Sequence, residues 1–196
     1  MTIMLVGLGV IGSFVAPLVA RTAQNLVLID RDTVEDRNCR NQIYTSDMIG
    51  MPKVAAMAAK LRSIWPAVSI DTYHADLADV PMGVYSDASI VFAGLDSLLA
   101  RQSLGEIAYR LGKPWIDGGT ADTSLGRVSF YAPGPACVEC CFTAAHYRQL
   151  AMEYPCGAST AARVSPTAAS GALGTTVAGL MASVYEQYVA TADEPA

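Results

Sequence analysis

An apolar run, Thr2 to Val6, gives way at once to Gly7-Leu8-Gly9-Val10-Ile11-Gly12. Glycines at this spacing, between a strand and a helix, let backbone amides approach a phosphate and aim the helix N-terminus at it. The other reading of the turn is a bend needed for packing alone. Asp30 follows about 20 residues on, at the end of a second apolar run, where a carboxylate accepts hydrogen bonds from ribose hydroxyls. That spacing suits NAD as well as ATP. The next stretch, Asp30 to Gln42 (DRDTVEDRNCRNQ), separates the two. It is polar and carries both signs. A triphosphate needs such amide and cationic donors beyond the glycine turn, and a dehydrogenase does not. Lys53, opening the following helix, can reach phosphate oxygens; its alternative is a solvated helix-face lysine. Asp96, beside Gly94 at a strand end, is placed to hold Mg²⁺, which takes one or two carboxylates plus substrate phosphates. The same position also suits a helix N-cap.

Five cysteines (Cys39, Cys137, Cys140, Cys141 and Cys156) form an odd set with three crowded together. In an intracellular chain that pattern favours metal or nucleophile chemistry over a disulfide framework. Cys39 is expected behind the phosphate loop. His74 and His146 have no partners at informative spacing and are expected at the surface. Trp65 and Trp115 are expected in the core. Arg127 is a candidate substrate contact.

These residues need elements to position them. Thr2–Val6 and Leu26–Ile29 are expected as buried strands around a helix from Ser13 to Arg21, one right-handed βαβ unit. Proline at the first helical position opens a helix over Lys53–Ile64. Strands are expected at Val68–Tyr73, Ser89–Ala93, Trp115–Asp117 and Gly126–Tyr131. Helices are expected at Leu98–Leu111 and Leu173–Val189, and 132–166 reads as loop. The alternation implies an α/β, Rossmann-like, doubly wound and mostly parallel sheet, with antiparallel strands added at the C-terminal side. Gly7–Gly12, Asp30, Asp96 and Gly118–Gly119 follow strand ends and should converge on one crevice. Residues 1–190 read as a single domain and 191–196 as a loose tail.

The composition fits. Of 196 residues 52% are hydrophobic, which argues for a packed core and against disorder. The net charge of −5 and the lack of a basic stripe argue against nucleic acid. No apolar run approaches the eighteen or so residues of a membrane span, and no basic segment and cleavage site mark a signal peptide. A cytoplasmic protein is the expectation.

The segments VGLGVIGSFVA, LVLIDRDTVEDRNCRNQIY and IGMPKVAAMAAKLRSIWPAVSI resemble the ATP-binding half of the ThiF/MoeB/E1 superfamily. SIVFAGLDSLLARQSLGEIAYRLGKPWIDGGT and GRVSFYAPGPACVECCF resemble that family's next segment, in the same order. The likeness runs from Ile3 to Phe142 and returns over ASGALGTTVAGLMASVYEQYV, which is similar to its closing helix. By this resemblance Gly7, Gly9 and Gly12 line the nucleotide and Asp30 binds ribose. Asp32 belongs to the same nucleotide-binding stretch. Asn38, Gln42 and Lys53 contact phosphates, Asp96 coordinates Mg²⁺, and Arg101 supports the site.

Three departures stand out. The family pattern Asn-Leu-x-Arg-Gln becomes Asn38-Cys39-Arg40-Asn41-Gln42: the arginine position is Asn41, and Arg40, one residue early, could reach the phosphates from an irregular loop or leave that arginine unreplaced. The chain starts at its first strand, so the arginine that an N-terminal helix lends in the family must come from another protein or be missing. Of the family's two zinc-binding Cys-x-x-Cys pairs, Cys137 and Cys140 supply one. Zinc wants four ligands; Cys141, Cys156 or a second chain could complete the site, and free thiols are the alternative.

The resemblance implies an adenylyltransferase. It would activate the C-terminal glycine of a ubiquitin-like or sulfur-carrier protein with ATP and Mg²⁺. Cys156 could accept the acyl group as a thioester or persulfide, bind zinc or stay inert. A homodimer is expected, the small residues of the last helix suiting close packing, and an E2-like partner is a further option. The rivals are a non-catalytic E1-like subunit and an NAD(P)-binding oxidoreductase.

Overall fold

A computed structural model describes residues 1–121, 124–134, 136–153 and 169–192. Six strands make one sheet: β1 (Thr2–Val6), β2 (Asn25–Ile29), β3 (Ser69–Tyr73), β4 (Ile90–Ala93), β5 (Trp115–Ala121) and β6 (Leu125–Tyr131). Their order is β3-β2-β1-β4-β5-β6. The first five run parallel, and β6 returns antiparallel on β5 with Arg127 opposite Gly119. The doubly wound sheet is therefore as expected, with a single antiparallel strand added. The helices are α1 (Gly12–Ala20), α2 (Lys53–Ile64), α3 (Met82–Ser86), α4 (Leu98–Arg110), α5 (Ala144–Glu153) and α6 (Gly171–Ala192).

The strands read as unbroken apolar runs because both faces of the sheet are covered. In β1, Ile3 and Leu5 pack with Val15 of α1, Met57 of α2 and Met181 of α6. Met4 and Val6 point the other way, toward Tyr85 of α3 and Leu104 of α4. All four β1 residues are buried. Chain order reverses at β1, which has β2 on one side and β4 on the other. In such sheets the crevice at the carboxyl ends of the two flanking strands is where ligands bind.

Several local expectations are corrected. Pro52 is the cap of α2, one position before the helix, with Lys53 the first helical residue. The stretch 132–166 is not all loop: Val138–Cys141 forms a 3-10 turn and Ala144–Glu153 a helix. His146 stabilises that helix start, its Nδ1 accepting from Thr143 N–H at 2.9 Å, and it packs against Phe142. It is therefore half-buried and partnered. His74 lies on the surface as expected, its Nε2 2.9 Å from the carbonyl of Arg31. Trp115 is buried, whereas Trp65 is only partly covered. Helix α6 runs through Thr191 and Ala192, the first two residues of the stretch expected to be loose, and the Thr191 hydroxyl bonds back to the Gln187 carbonyl; 193–196 lie outside the described residues. Of the glycines of α6, Gly174 packs within the chain, where a Cβ would lie 2.4 Å from the carbonyl oxygen of Val10, whereas a Cβ on Gly179 would meet nothing within 4 Å.

Candidate nucleotide site

The glycine turn is held by what surrounds it. Gly7 adopts φ +85°, a left-handed conformation that favours glycine. A Cβ on Gly12 would stand 1.8 Å from the Gly7 carbonyl oxygen, so the start of α1 lies directly on the turn. At Gly9, by contrast, a Cβ would meet nothing within 4 Å. The middle of the turn is the open part, where a phosphate can approach the backbone.

Asp30, just beyond β2, clamps this turn. Its Oδ2 accepts from Leu8 N–H at 2.6 Å and its Oδ1 from Asp32 N–H at 2.7 Å. Each oxygen keeps a further lone pair for a ribose hydroxyl. Burial pushes the Asp30 carboxyl above its usual range, against the pull of the Lys53 charge and the two amides. Tyr44 adds a second clamp that the sequence did not single out: its buried hydroxyl donates to the Leu8 carbonyl at 3.0 Å. Ile43 N–H reaches Ser13 Oγ at 3.4 Å. The polar stretch thus folds back over the start of α1.

Lys53 is no solvated lysine. Its side chain is only 6% exposed and its Nζ donates to Asp32 Oδ2 at 2.9 Å, while Asp32 itself is 57% exposed. Lys53 N–H also holds the Asp32 carbonyl at 2.9 Å. Among the described residues its ion-pair partner faces solvent, an arrangement in which a phosphate oxygen could take the place of Asp32.

The remaining expected ligands separate. Asn38 is buried, and its Oδ1 accepts from Glu35 N–H at 2.8 Å, which commits that end to the backbone. Gln42 has a buried Oε1 that finds no hydrogen-bond partner among the described residues. Arg40 is 81% exposed and pairs with Asp36 at 3.5 Å. Asn41 turns to the Ala169 carbonyl at 3.1 Å. Cys39 is half-buried beside the Glu35 carbonyl, not hidden behind the loop.

Asp96 is exposed and does not cap α4. That cap is Ser97, whose Oγ accepts from Ala100 N–H at 3.1 Å. The Asp96 carboxylate is thereby released from the structural role that competed with metal binding. Among the described residues no group of three or more His, Cys, Asp or Glu could hold a metal. Magnesium needs no such cage when phosphates supply its other ligands, so one exposed carboxylate fits it, though the Arg31 charge also acts on Asp96. Zinc fares differently. Cys137 Sγ and Cys140 Sγ are 4.0 Å apart, near the roughly 3.8 Å edge of a tetrahedral thiolate site. Two further ligands are lacking among the described residues, so the pair alone does not fit structural zinc. Cys156 lies outside the described residues.

Beyond Asp96 sits a cluster that sequence reasoning missed in part. Asp117 of β5 is fully buried and paired with two arginines: Arg101 Nε to Oδ1 at 2.9 Å and Arg127 Nη2 to Oδ2 at 2.7 Å. Arg101 also donates to the carbonyls of Leu95 and Gly118, tying the Asp96 loop to β5. Arg101 thus holds the loop before α4 against β5, the kind of supporting contact that the resemblance implied for it. The signal for Asp117 was an acid at the end of the apolar run Trp115–Ile116, which must be partnered if buried.

Comparisons with known proteins agree with this geometry. The profile of the ThiF family matches residues 1–195. Over 154 residues the chain is 29% identical to ubiquitin-like modifier-activating enzyme 5 of Bombyx mori, covering 71% of this chain and 39% of that protein. Over 123 residues it is 31% identical to the NEDD8-activating enzyme E1 catalytic subunit of Saccharomyces cerevisiae, 58% of this chain and 41% of that one. The chain spans about two fifths of the length of these relatives. Among solved structures, E. coli MccB with ATP superposes with a TM-score of 0.76 at 21% identity, covering 99% of this chain and 57% of that one. PaaA gives 0.69 at 19% identity, covering 100% and 57%. These last two likenesses establish the shared fold. The chain belongs to the ThiF family.

Proposed function

We propose that the chain binds ATP with Mg²⁺ and uses it to adenylate a C-terminal glycine carboxylate on a ubiquitin-like or sulfur-carrier protein. Three features beside the strand-order reversal support this reading: an open Gly9, a buried Lys53, and an Asp96 that does not cap α4. The relatives named above for activating ubiquitin-like modifiers, and MccB solved with ATP, support it.

Asp30 orients the ribose and keeps the glycine turn rigid. The open amides near Gly9 and the Lys53 ammonium hold phosphate oxygens, the lysine exchanging Asp32 for phosphate. Asp96 would hold Mg²⁺, which when bound neutralises charge on the phosphates. A carboxylate oxygen of the substrate attacks the α-phosphorus, the bond to the bridging oxygen breaks, and pyrophosphate leaves with that electron pair. The protein's part is positioning and electrostatics. Cys156 is the candidate to accept the acyl group afterwards, and a second copy of the chain is the candidate partner.

Arg40 paired with Asp36, and Asn41 bonded to the Ala169 carbonyl, favour a second reading: a non-catalytic subunit of an E1-like pair. ATP–pyrophosphate exchange in the presence of the carrier separates the two. The adenylation reading expects exchange that Asp96→Ala abolishes. Exchange unchanged by that substitution, or none with wild type, overturns it.

A further inference from the structure

The Asp117 cluster carries more positive charge than its own carboxylate needs. Asp117 is fully buried, Arg101 is 14% exposed and Arg127 52% exposed. One buried carboxylate would be balanced by one guanidinium, and Arg101 already supplies it together with its bonds to the Leu95 and Gly118 carbonyls. Among the described residues, Arg127 has Asp117 Oδ2 as its one recorded acceptor. Among the described residues its Nε, its Nη1 and the second hydrogen of Nη2 have no recorded acceptor, and Nη2 with either neighbour still presents two donors side by side.

The place these donors border is specific. Arg127 faces Gly119 across the β5–β6 pair. A Cβ on Gly119 would come 3.2 Å from Arg101 Nη2 and 3.6 Å from Arg127 Nη2. Two guanidinium groups therefore flank the spot where any other residue would have a side chain. Through the Leu95 carbonyl this spot is tied to the Asp96 loop, at the rim of the nucleotide crevice.

We propose that Arg127, anchored by Asp117 and facing the bare backbone of Gly119, binds the carboxylate of the acyl substrate before it is activated. This deepens the adenylation reading and rests on it. Adenylation must bring a carboxylate up to a triphosphate, two anions that repel each other. A half-exposed guanidinium offset from the phosphate site screens that approach and can hold a carboxylate with two parallel hydrogen bonds. Asp117 fixes the orientation of the fork, so little side-chain freedom is lost on binding. Glycine at 119 keeps a side chain out of the space that the two guanidinium groups flank.

The test uses a fluorescein-labelled peptide ending in Gly-Gly with a free carboxylate, and the same peptide as its C-terminal amide. Each is titrated by anisotropy against the full chain with Mg²⁺ and a non-hydrolysable ATP analogue. Wild type should bind the acid at least about tenfold tighter than the amide. Arg127→Gln should bring the two within about twofold of each other while its affinity for the nucleotide analogue is kept. Arg127→Lys should retain part of the preference, and Gly119→Val should lose it with both arginines present. An acid preference undiminished in Arg127→Gln, or absent from wild type, overturns the proposal. Calorimetry with the nucleotide alone reports on the ATP reading separately: no uptake there, with the Arg127-dependent acid preference intact, sinks adenylation and leaves a carboxylate site.

Discussion

Gly7 and Gly94 lie so close that neither tolerates a side chain. A Cβ on Gly7 would sit 2.6 Å from the Gly94 carbonyl oxygen, and one on Gly94 would sit 3.1 Å from the Gly7 carbonyl oxygen and 2.8 Å from Gly12 N. The contact joins the loop after β1 to the loop after β4, the first carrying Gly9 and the second Asp96. Backbone atoms line both sides and cannot step aside as a flexible side chain would. Gly94→Ala should therefore cost about 1–3 kcal/mol in urea unfolding. It should also weaken Mg-ATP binding, because the two loops move apart.

Removing Lys53 tests the phosphate side. Its buried ammonium pairs with exposed Asp32. Lys53→Ala should raise the Kd for ATP by about tenfold or more, the worth of one charge-assisted hydrogen bond. Asp32→Ala should change ATP affinity less, since phosphate replaces Asp32 as the partner. Equal losses in the two variants would contradict the exchange of partners.

Asp30 predicts a dependence on pH. Its raised value means that the native chain holds the proton more tightly than the unfolded chain does. Stability from this group is thus greatest when it is protonated in the native state, and falls as pH rises from the ordinary aspartate value through the raised one. Asp30→Asn lacks that ionisation. The stability gap between wild type and Asp30→Asn should shrink on going from about pH 4 to about pH 7 in urea melts. A gap that widens over that range contradicts the assignment.

Arg101 should matter chiefly for stability. Arg101→Ala leaves the buried Asp117 carboxylate with only the half-exposed Arg127. Breaking a buried pair from one side costs about 3–5 kcal/mol. The double variant Arg101→Ala/Asp117→Ala should cost less than the sum of the two single losses, measured by a double-mutant cycle.

How far the sequence led depended on how local each signal was. Thr2–Val6 and Lys53–Ile64 were legible to the residue, because an apolar run ending in glycine and a proline before a helix act within a few positions. Helix Ala144–Glu153 was hidden by the cysteines and prolines just before it, though Ala, Gln, Leu, Met and Glu are good helix formers. Ser97, not Asp96, caps α4, a choice between adjacent residues that spacing alone does not make. In the site, Gly9, Asp30 and Lys53 stood out because glycine spacing and strand ends advertise them. Asp117, Tyr44 and the pairing of Arg40 with Asp36 did not. Their roles come from partners 16, 36 and 4 positions away, chosen by tertiary packing or by a local ion pair.

Isothermal titration calorimetry of ATP into the pure chain, with and without Mg²⁺, and repeated with Asp96→Ala, bears most directly on the central claim. One nucleotide taken up per chain with magnesium, much more weakly without it, and the magnesium effect gone in Asp96→Ala is the expected result. Uptake that ignores magnesium and Asp96 alike, or no uptake at all, contradicts a triphosphate held between Gly9, Lys53 and Asp96.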